Sequence, residues 1–242
     1  MKPLTTRITW IALALAVQGC AAGEDEDVAE SSEQNLELFN ASKWFRWLER
    51  THPDWAVRSS ARDADPSPWP RGFAPERAEI FAHNEVFLEG VSPLEVHDLM
   101  TRPREYRSFY PNSGAPSVDR LTSVGQTYRW STFGVTQSNT VVELQRDARE
   151  SRLAWLAEST GTKALHRWIF RAEAGGTRVI TEECQTGWVA GLPSLVSSMA
   201  TSLPAAHELW LQGLRCRMVE GAKDEEMCTT TIRKDLGSAP DP

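Results

Sequence analysis

The sequence predicts an α+β fold in which an antiparallel sheet of about seven strands curves around one long C-terminal helix, with two short helices after the first strand. Three observations lead to this prediction. Strand-like segments between residues 118 and 188 follow one another with only turn-type separators. An earlier strand at 78–88 is separated from them by two short helical segments. An amphipathic stretch at 203–220 is long enough to lie across the sheet.

The composition is that of a globular protein with an acidic surface. The chain has 242 residues, of which 40% are hydrophobic and 24% are charged. This length suits one domain of roughly 150 to 200 residues with additional terminal segments. The formal net charge of −7 repels phosphate backbones, so we expect no nucleic-acid partner.

The N-terminus has the pattern of an export signal. Lys2 and Arg7 form a short basic region, and the apolar run at 8–17 is too short to cross a bilayer. The run ends in a segment that resembles the bacterial lipoprotein box, Val17-Gln18-Gly19-Cys20. The resemblance implies a signal peptide at 1–19 and an acylated Cys20 as the mature N-terminus. The alternative is ordinary cleavage near 21–22 with a free Cys20.

The residue after the cysteine bears on location. Ala21 stands where a retention signal for the inner membrane would usually have Asp, so the family's sorting rule implies the outer membrane. The expected location is therefore the bacterial cell envelope, with membrane attachment through a lipid anchor.

The chain divides into segments of different composition. Residues 20–35 are acidic and poor in apolar side chains, which predicts a flexible tether. Residues 36–75 form an appended amphipathic helix, whose aromatic side chains pack on the domain or touch a membrane interface, and a proline-rich connector. The main domain is expected at 76–221 and a flexible tail at 222–242.

The elements of the main domain follow from local signals. The strand at 78–88 alternates between two faces, and Ser92 caps a helix at 94–100 that precedes a helical turn at 106–110. The last helix, at 203–220, has Pro204 in its first turn. The remaining strands are predicted at 118–121, 126–132, 139–146, 152–157, 164–172 and 177–188.

Seven segments of the chain follow one another in an order typical of a known superfamily. They are Trp69-Pro70-Arg71-Gly72-Phe73, Asn84-Glu85-Val86-Phe87-Leu88, Tyr110-Pro111-Asn112-Ser113, Gly125-Gln126-Thr127-Tyr128-Arg129-Trp130, Arg152-Leu153-Ala154-Trp155, Gly176-Thr177-Arg178-Val179 and His207-Glu208-Leu209-Trp210-Leu211. The ordered set resembles the START-like helix-grip superfamily, also called SRPBCC, and most closely its polyketide cyclase/dehydrase-like branch. His97 departs from that pattern, where a Trp usually follows the helical valine.

A strongly bent sheet and one helix cannot close completely on each other, which predicts a cavity for a small hydrophobic ligand, such as a lipid or a polyketide-like molecule. The alternative is that the aromatic side chains fill this volume themselves. The residues expected to line the cavity are Asn84, Tyr128, Trp130, Trp155, His166, Trp168, Thr181, Glu183, Leu203, His207 and Trp210.

Three of the lining residues are candidates for catalysis. His166, Glu183 and His207 have the side chains that proton transfer next to a carbonyl requires, as the superfamily's cyclases perform it. No catalytic motif of a hydrolase accompanies them. A binding protein is therefore favoured, a cyclase/dehydratase-type enzyme is the alternative, and an envelope scaffold without a ligand is the second alternative.

The cysteines and histidines indicate neither a metal nor a cofactor. There is no CxxC motif, and no two histidines lie at i, i+4 spacing. Acylation of Cys20 would leave Cys184, Cys216 and Cys228, an odd number. A disulfide between Cys216 and Cys228 would fasten the tail to the last helix.

Overall fold

Six strands form a single antiparallel sheet in the order β1-β6-β5-β4-β3-β2. The computed structural model describes residues 47–48, 50–110, 112–132, 135–159, 161–188 and 190–219. Two α-helices lie entirely within the described residues, α1, Pro93–Met100, and α2, Pro193–Met218, and residues 47, 48, 50 and 51 are also helical. The strands are β1 Ile80–Glu89, β2 Thr127–Thr132, β3 Val135–Gln145, β4 Glu150–Ser159, β5 Thr162–Glu173 and β6 Gly176–Thr186.

The predicted fold class is confirmed: the protein is an α+β helix-grip fold, with α2 packed against one face of the curved sheet. We call this face the inner face and the opposite one the outer face. The described strands number six rather than seven, because residues 118–121 do not form one. Leu121 is buried, and its N–H bonds to the carbonyl of Thr101 after α1 instead of to a strand.

The helix α1 begins where its capping signals place it. The Ser92 hydroxyl accepts from the N–H of Glu95, and the Glu95 carboxylate accepts from the N–H of Ser92 at 2.8 Å. Pro93 occupies the first turn, where its missing N–H costs nothing. The following 3-10 helix, Pro103–Ser108, starts three residues before the predicted turn, and the Tyr106 hydroxyl donates to Met100.

The predicted start of α2 is wrong by ten residues. The helix begins at Pro193, and Pro204 lies inside it. Proline in the first turn is a start signal, and Pro193 offers it earlier in the chain, although the N-cap residue there is Leu192, without a side-chain cap. Pro204 is tolerated although its ring removes one hydrogen bond of the helix. No helix among the described residues combines the length and the apolar character needed to cross a membrane.

The hydrophobic core lies between the inner face and α2. Strand alternation sends Ala82 and Leu88 of β1 into it, as the sequence predicts for this strand. The aromatic and aliphatic side chains of β2 to β6 meet Leu209, Trp210 and Leu214 of α2 in one cluster. His97 of α1 joins this layer and packs edge-on against Phe170 at 6.3 Å between ring centres.

The outer face is covered by the chain before β1. The Arg167 guanidinium lies 3.6 Å from the ring centre of Trp69, and Arg171 pairs with Asp65 at 2.8 Å. The Ser59 hydroxyl accepts from the N–H of His83 on the edge strand β1. These contacts protect the edge of the sheet and part of its outer face from water.

The expectations about the termini lie mostly outside the described residues, including Cys20, the tether at 20–35 and the tail at 222–242. Cys184 is free and buried, and burial raises the pKa of its thiol to about 12. Cys216 is disulfide-bonded, and Cys228 is among the residues not described.

Candidate functional site

A histidine and a glutamate stand opposite each other on the inner face. The β5–β6 hairpin pairs Glu173 with Gly176, and this register places His166 directly across from Glu183. Gly175, in the turn, has φ +87°, a conformation that glycine adopts without strain. Turn and register together therefore fix the two side chains next to each other.

The helix α2 adds a third polar side chain to this pair. His207 is only 2% exposed, and its ring lies nearly parallel to that of His166, with 4.7 Å between ring centres. The Glu183 carboxylate oxygen Oε2 is 3.6 Å from Nδ1 of His166 and 3.6 Å from Nε2 of His207. Both distances exceed hydrogen-bond length, so the three groups meet without bonding. We call these three residues the His–Glu–His cluster.

Two neighbouring side chains form hydrogen-bond contacts with His166 and Glu183 of the cluster. Thr181 Oγ1 lies 2.7 Å from Nε2 of His166, and the Gln185 amide donates to Oε1 of Glu183 at 2.7 Å. Thr181 was expected in the lining, whereas Gln185 was missed. The signal for Gln185 was available, because a residue two positions after Glu183 on a strand lies on the same face.

The buried environment changes the ionisation of the cluster. Burial lowers the pKa of His166 to about 3, so this imidazole is neutral at pH 7. Burial alone would raise the pKa of Glu183, but the two facing imidazoles and the Gln185 amide outweigh it and hold the pKa below its usual range. At neutral pH the cluster thus carries a carboxylate inside the core.

Aromatic rings surround the cluster. His166 lies 4.9 Å from Trp155, 5.1 Å from Trp168 and 5.7 Å from Trp210, measured between ring centres. Trp210 also stacks on Tyr110 at 4.3 Å. These rings contact one another and form much of the interior between the sheet and α2.

The remaining predicted lining residues take different positions. Tyr128 packs edge-on against Trp155, and the Trp130 indole donates to Ser113 Oγ at 2.8 Å. Asn84 is half-buried and donates to Glu208 of α2 at 3.3 Å. Leu203 is separate from the aromatic rings, in a small cluster with two residues of β1.

Several buried polar atoms on the inner side have no hydrogen-bond partner among the described residues. Proteins normally pair such atoms, because an unpaired one costs about 1–3 kcal/mol. Those atoms are both ring nitrogens of His207, the indole nitrogens of Trp168 and Trp210, the hydroxyl of Tyr128, and the side-chain oxygens of Asn84 and Asn139.

The fold and the site define a helix-grip protein with a buried, incompletely hydrogen-bonded polar cluster inside an aromatic interior. The six-stranded antiparallel sheet and the long C-terminal helix agree with the helix-grip fold that the resemblance implies. Its chemistry allows the cluster to bind a polar group of a ligand, and the three side chains could also hold a metal ion.

Several solved structures are similar to this chain. The chain is similar to the hypothetical protein jhp0584 of Helicobacter pylori, at 24% identity over 64% of this chain and 97% of that one, with a TM-score of 0.57. A START superfamily protein of Mycobacterium smegmatis gives 10% identity, 59% and 99% coverage, and a TM-score of 0.47. DynU16, from the dynemicin biosynthetic locus, gives 16% identity, 57% and 48% coverage, and 0.42. No protein-family model and no curated protein matches the chain.

Proposed function

We propose that this protein binds a small hydrophobic ligand between the inner face of the sheet and α2, with a neutral oxygen of the ligand directed at the His–Glu–His cluster. The observation that carries the proposal is that the ring nitrogens of His207 and the indole nitrogens of the neighbouring Trp168 and Trp210 have no hydrogen-bond partner among the described residues. A ligand that pairs with these atoms offsets their desolvation, and the surrounding rings contact its apolar part.

The chemistry of the unpartnered atoms selects the polar group of the ligand. The indole nitrogens of Trp168 and Trp210 are donors only, so they require an acceptor such as a carbonyl or hydroxyl oxygen. The buried carboxylate of Glu183 repels an anion at this depth. A neutral ketone, ester or alcohol on an apolar skeleton fits both conditions, whereas a free fatty acid does not.

A fluorescent probe tests the proposal. N-phenyl-1-naphthylamine is neutral and apolar, and we expect saturable binding at micromolar concentrations, about −8 kcal/mol, with a change in Trp emission. For the metal-free protein, the anionic analogue 1-anilinonaphthalene-8-sulfonate should bind more weakly because of the Glu183 carboxylate. Absence of saturable binding of the neutral probe to the folded protein contradicts the proposal.

A substitution locates the binding region. Thr181→Trp places a large ring next to His166 on the inner face and should reduce binding of the probe without unfolding the protein. Thr127→Trp makes the same change at an exposed position of β2 and is the matched control. Equal effects of the two substitutions would place the probe elsewhere.

The identity of the ligand requires extraction from the native source. Protein purified from native membranes should release a neutral hydrophobic compound that mass spectrometry detects. The Thr181→Trp protein, prepared in the same way, should release much less of it.

A second candidate function is conversion of the bound ligand by a cyclase- or dehydratase-type reaction. The convergence of His166, Glu183 and His207 favours it, because such chemistry needs these groups within reach of one substrate atom. Mass spectrometry over time distinguishes the two functions. Conversion that is absent in Glu183→Gln, with binding of the compound retained, would establish catalysis.

We further propose that the protein is anchored in the cell envelope by acylated Cys20, as the sequence indicates. Cys20→Ser removes the acylation site and should release the protein into the soluble fraction, since stable attachment needs the lipid chains. Membrane association at the wild-type level in this variant would contradict the anchor.

A further inference from the structure

We propose that the His–Glu–His cluster is a binding site for one divalent transition-metal ion, with zinc as the best match. The ligands are Nδ1 of His166, Oε2 of Glu183 and Nε2 of His207, one each from β5, β6 and α2. All three side chains are buried, and their ligand atoms lie within 4.8 Å of one another.

The distances between the ligand atoms show whether the three side chains are placed for a metal ion or for hydrogen bonds to one another. A hydrogen bond between an imidazole and a carboxylate would bring the atoms to about 2.8 Å. Zinc bonds of about 2.0–2.1 Å in tetrahedral geometry place two ligand atoms about 3.3 Å apart. The observed separations of 3.6 Å from Glu183 to each histidine are closer to the second value.

The groups behind the cluster have the arrangement of an outer coordination shell. A histidine that binds a metal usually donates its other ring N–H to an oxygen, and a carboxylate ligand usually receives a hydrogen bond on its free oxygen. Thr181 Oγ1 lies 2.7 Å from Nε2 of His166, which leaves Nδ1 for the ion. Gln185 bonds Oε1 of Glu183, which leaves Oε2 for the ion.

The remaining ligand, His207, is free to adjust. A metal ion binds in the plane of an imidazole ring, whereas the rings of His166 and His207 are nearly parallel at 14°. Binding therefore requires one ring to turn. His166 is held by Thr181, but neither ring nitrogen of His207 has a hydrogen-bond partner among the described residues, so no bond is lost when it turns.

The ligand set determines the class of ion. Two imidazoles and one carboxylate suit zinc, and also cobalt and ferrous iron, but not the oxygen-preferring magnesium and calcium. Three protein ligands leave a coordination position open to water or to a ligand oxygen. Local spacing in the sequence does not indicate this set of ligands, because they come from three distant segments of the chain.

Metal titration tests the inference independently of ligand binding. The untagged full-length chain, treated with a chelator and then dialysed, should bind one Zn²⁺ per chain in calorimetry. Co²⁺ should give visible absorption of a site with nitrogen and oxygen ligands, and an excess of Zn²⁺ should raise the melting temperature. If the folded wild-type protein binds neither Zn²⁺ nor Co²⁺ saturably, the inference is overturned. This conclusion does not depend on whether the apolar probe binds.

Variants locate the site. Glu183→Gln and His207→Gln should each weaken Zn²⁺ binding more than tenfold, and Thr181→Val should weaken it about tenfold through His166. His83→Gln is the matched control, because His83 contacts a buried carboxylate on the outer face. Circular dichroism checks that each variant is folded. Unchanged affinity in folded Glu183→Gln and His207→Gln would place the ion elsewhere, for example on the acidic N-terminal segment, and would overturn the inference.

Discussion

Two adjacent glutamates on β6 have opposite surroundings. Glu182 points to the outer face, where it accepts hydrogen bonds from Arg167 at 2.6 Å and from the N–H of Asp65 at 2.7 Å, and contacts His83 at 2.8 Å. Glu183 points to the inner face and touches two histidines without a hydrogen bond. Glu182, bonded on both carboxylate oxygens, stabilises the fold, whereas Glu183 accepts a hydrogen bond on Oε1 from Gln185 and presents Oε2 to the two histidines for binding.

The outer glutamate should be essential for stability. Glu182→Gln removes the charge opposite Arg167, whose side chain is 1% exposed, and leaves that cation buried without a counterion. We expect a loss of about 3–5 kcal/mol in the free energy of unfolding, measured by urea denaturation.

An exposed ion pair is the control for this substitution. Glu158 pairs with Lys163 at 2.7 Å, but both side chains are more than half exposed. Glu158→Gln should therefore change the free energy of unfolding very little. Similar effects of Glu158→Gln and Glu182→Gln would show that burial of the outer pair has no energetic consequence.

Protonation of His83 should make stability depend on pH. Burial lowers its pKa, but the hydrogen bond and charge of Glu182, with Glu85 and Asp63 nearby, outweigh this and raise it above the ordinary 6.5. The folded state then binds the proton more tightly than the unfolded state. The stabilisation is fully present below pH 6.5 and is lost as the pH rises through the folded pKa.

A comparison of the wild-type and His83→Gln proteins measures the contribution of the His83 charge to stability. The difference in free energy of unfolding between wild type and His83→Gln should shrink as the pH is raised from 6 toward 9. A difference that is constant over this range would contradict the proposed role of the His83 charge.

At the scale of elements, the sequence predicts those features that depend on local patterns, such as which face of a strand a residue is on and where a helix begins. The alternation in β1 identifies the inner residues correctly, and the capping box at Ser92 places the start of α1 within one residue. The β5–β6 hairpin could also have been read, because its short turn at Gly175 fixes the register that pairs His166 with Glu183.

Contacts between distant elements could not be predicted in this way. The register of a strand pair follows from its turn, but the position of α2 along the sheet depends on side-chain packing over the whole interface. Periodicity therefore places His207 on the inner side of the helix without showing that it meets Glu183. The early start of α2 was missed because residues 193–203 contain no charged residue to mark a polar face.

A glycine of α2 allows the closest approach of this helix to the rest of the domain. A Cβ atom at Gly213 would overlap the backbone carbonyl of Phe109, which follows the 3-10 helix at Pro103–Ser108. Replacing glycine by alanine in a helix normally stabilises it by about 1 kcal/mol. Here the overlap should dominate, and we expect Gly213→Ala to destabilise the protein by about 1–3 kcal/mol.

Thermal or urea unfolding measures this effect, with Ser197→Ala on the exposed side of α2 as the control. The control should be neutral or slightly stabilising. A Gly213→Ala protein that is as stable as the wild type would mean that α2 can shift away from Phe109 without cost.

At the scale of the whole molecule, the sheet is covered on two sides by different parts of the chain. The helix α2 covers the inner face, and the segment at 59–69 covers part of the outer face. Arg167 connects this segment to the sheet by donating to the carbonyl oxygens of Asp65, Ser67 and Pro68. The helix α2 therefore encloses the polar cluster on the inner face. The segment at 59–69, which we call the outer layer, packs on the strands that position the cluster.

Two truncations test how far the folded unit extends. Starting the chain at residue 36 removes the predicted signal peptide, Cys20 and the acidic segment predicted to be a tether, so the melting temperature of the domain should stay within about 2 °C. Starting it at residue 70 also removes Trp47 and Leu48 of the hydrophobic core, and with Asp65 and Trp69 it removes the outer cover of Arg167. We expect a decrease of about 10 °C or more, since several kcal/mol are lost. Equal melting temperatures of the two truncated proteins would show that neither the outer layer nor Trp47 and Leu48 contributes to stability. A large decrease for the first truncation would contradict the flexible tether.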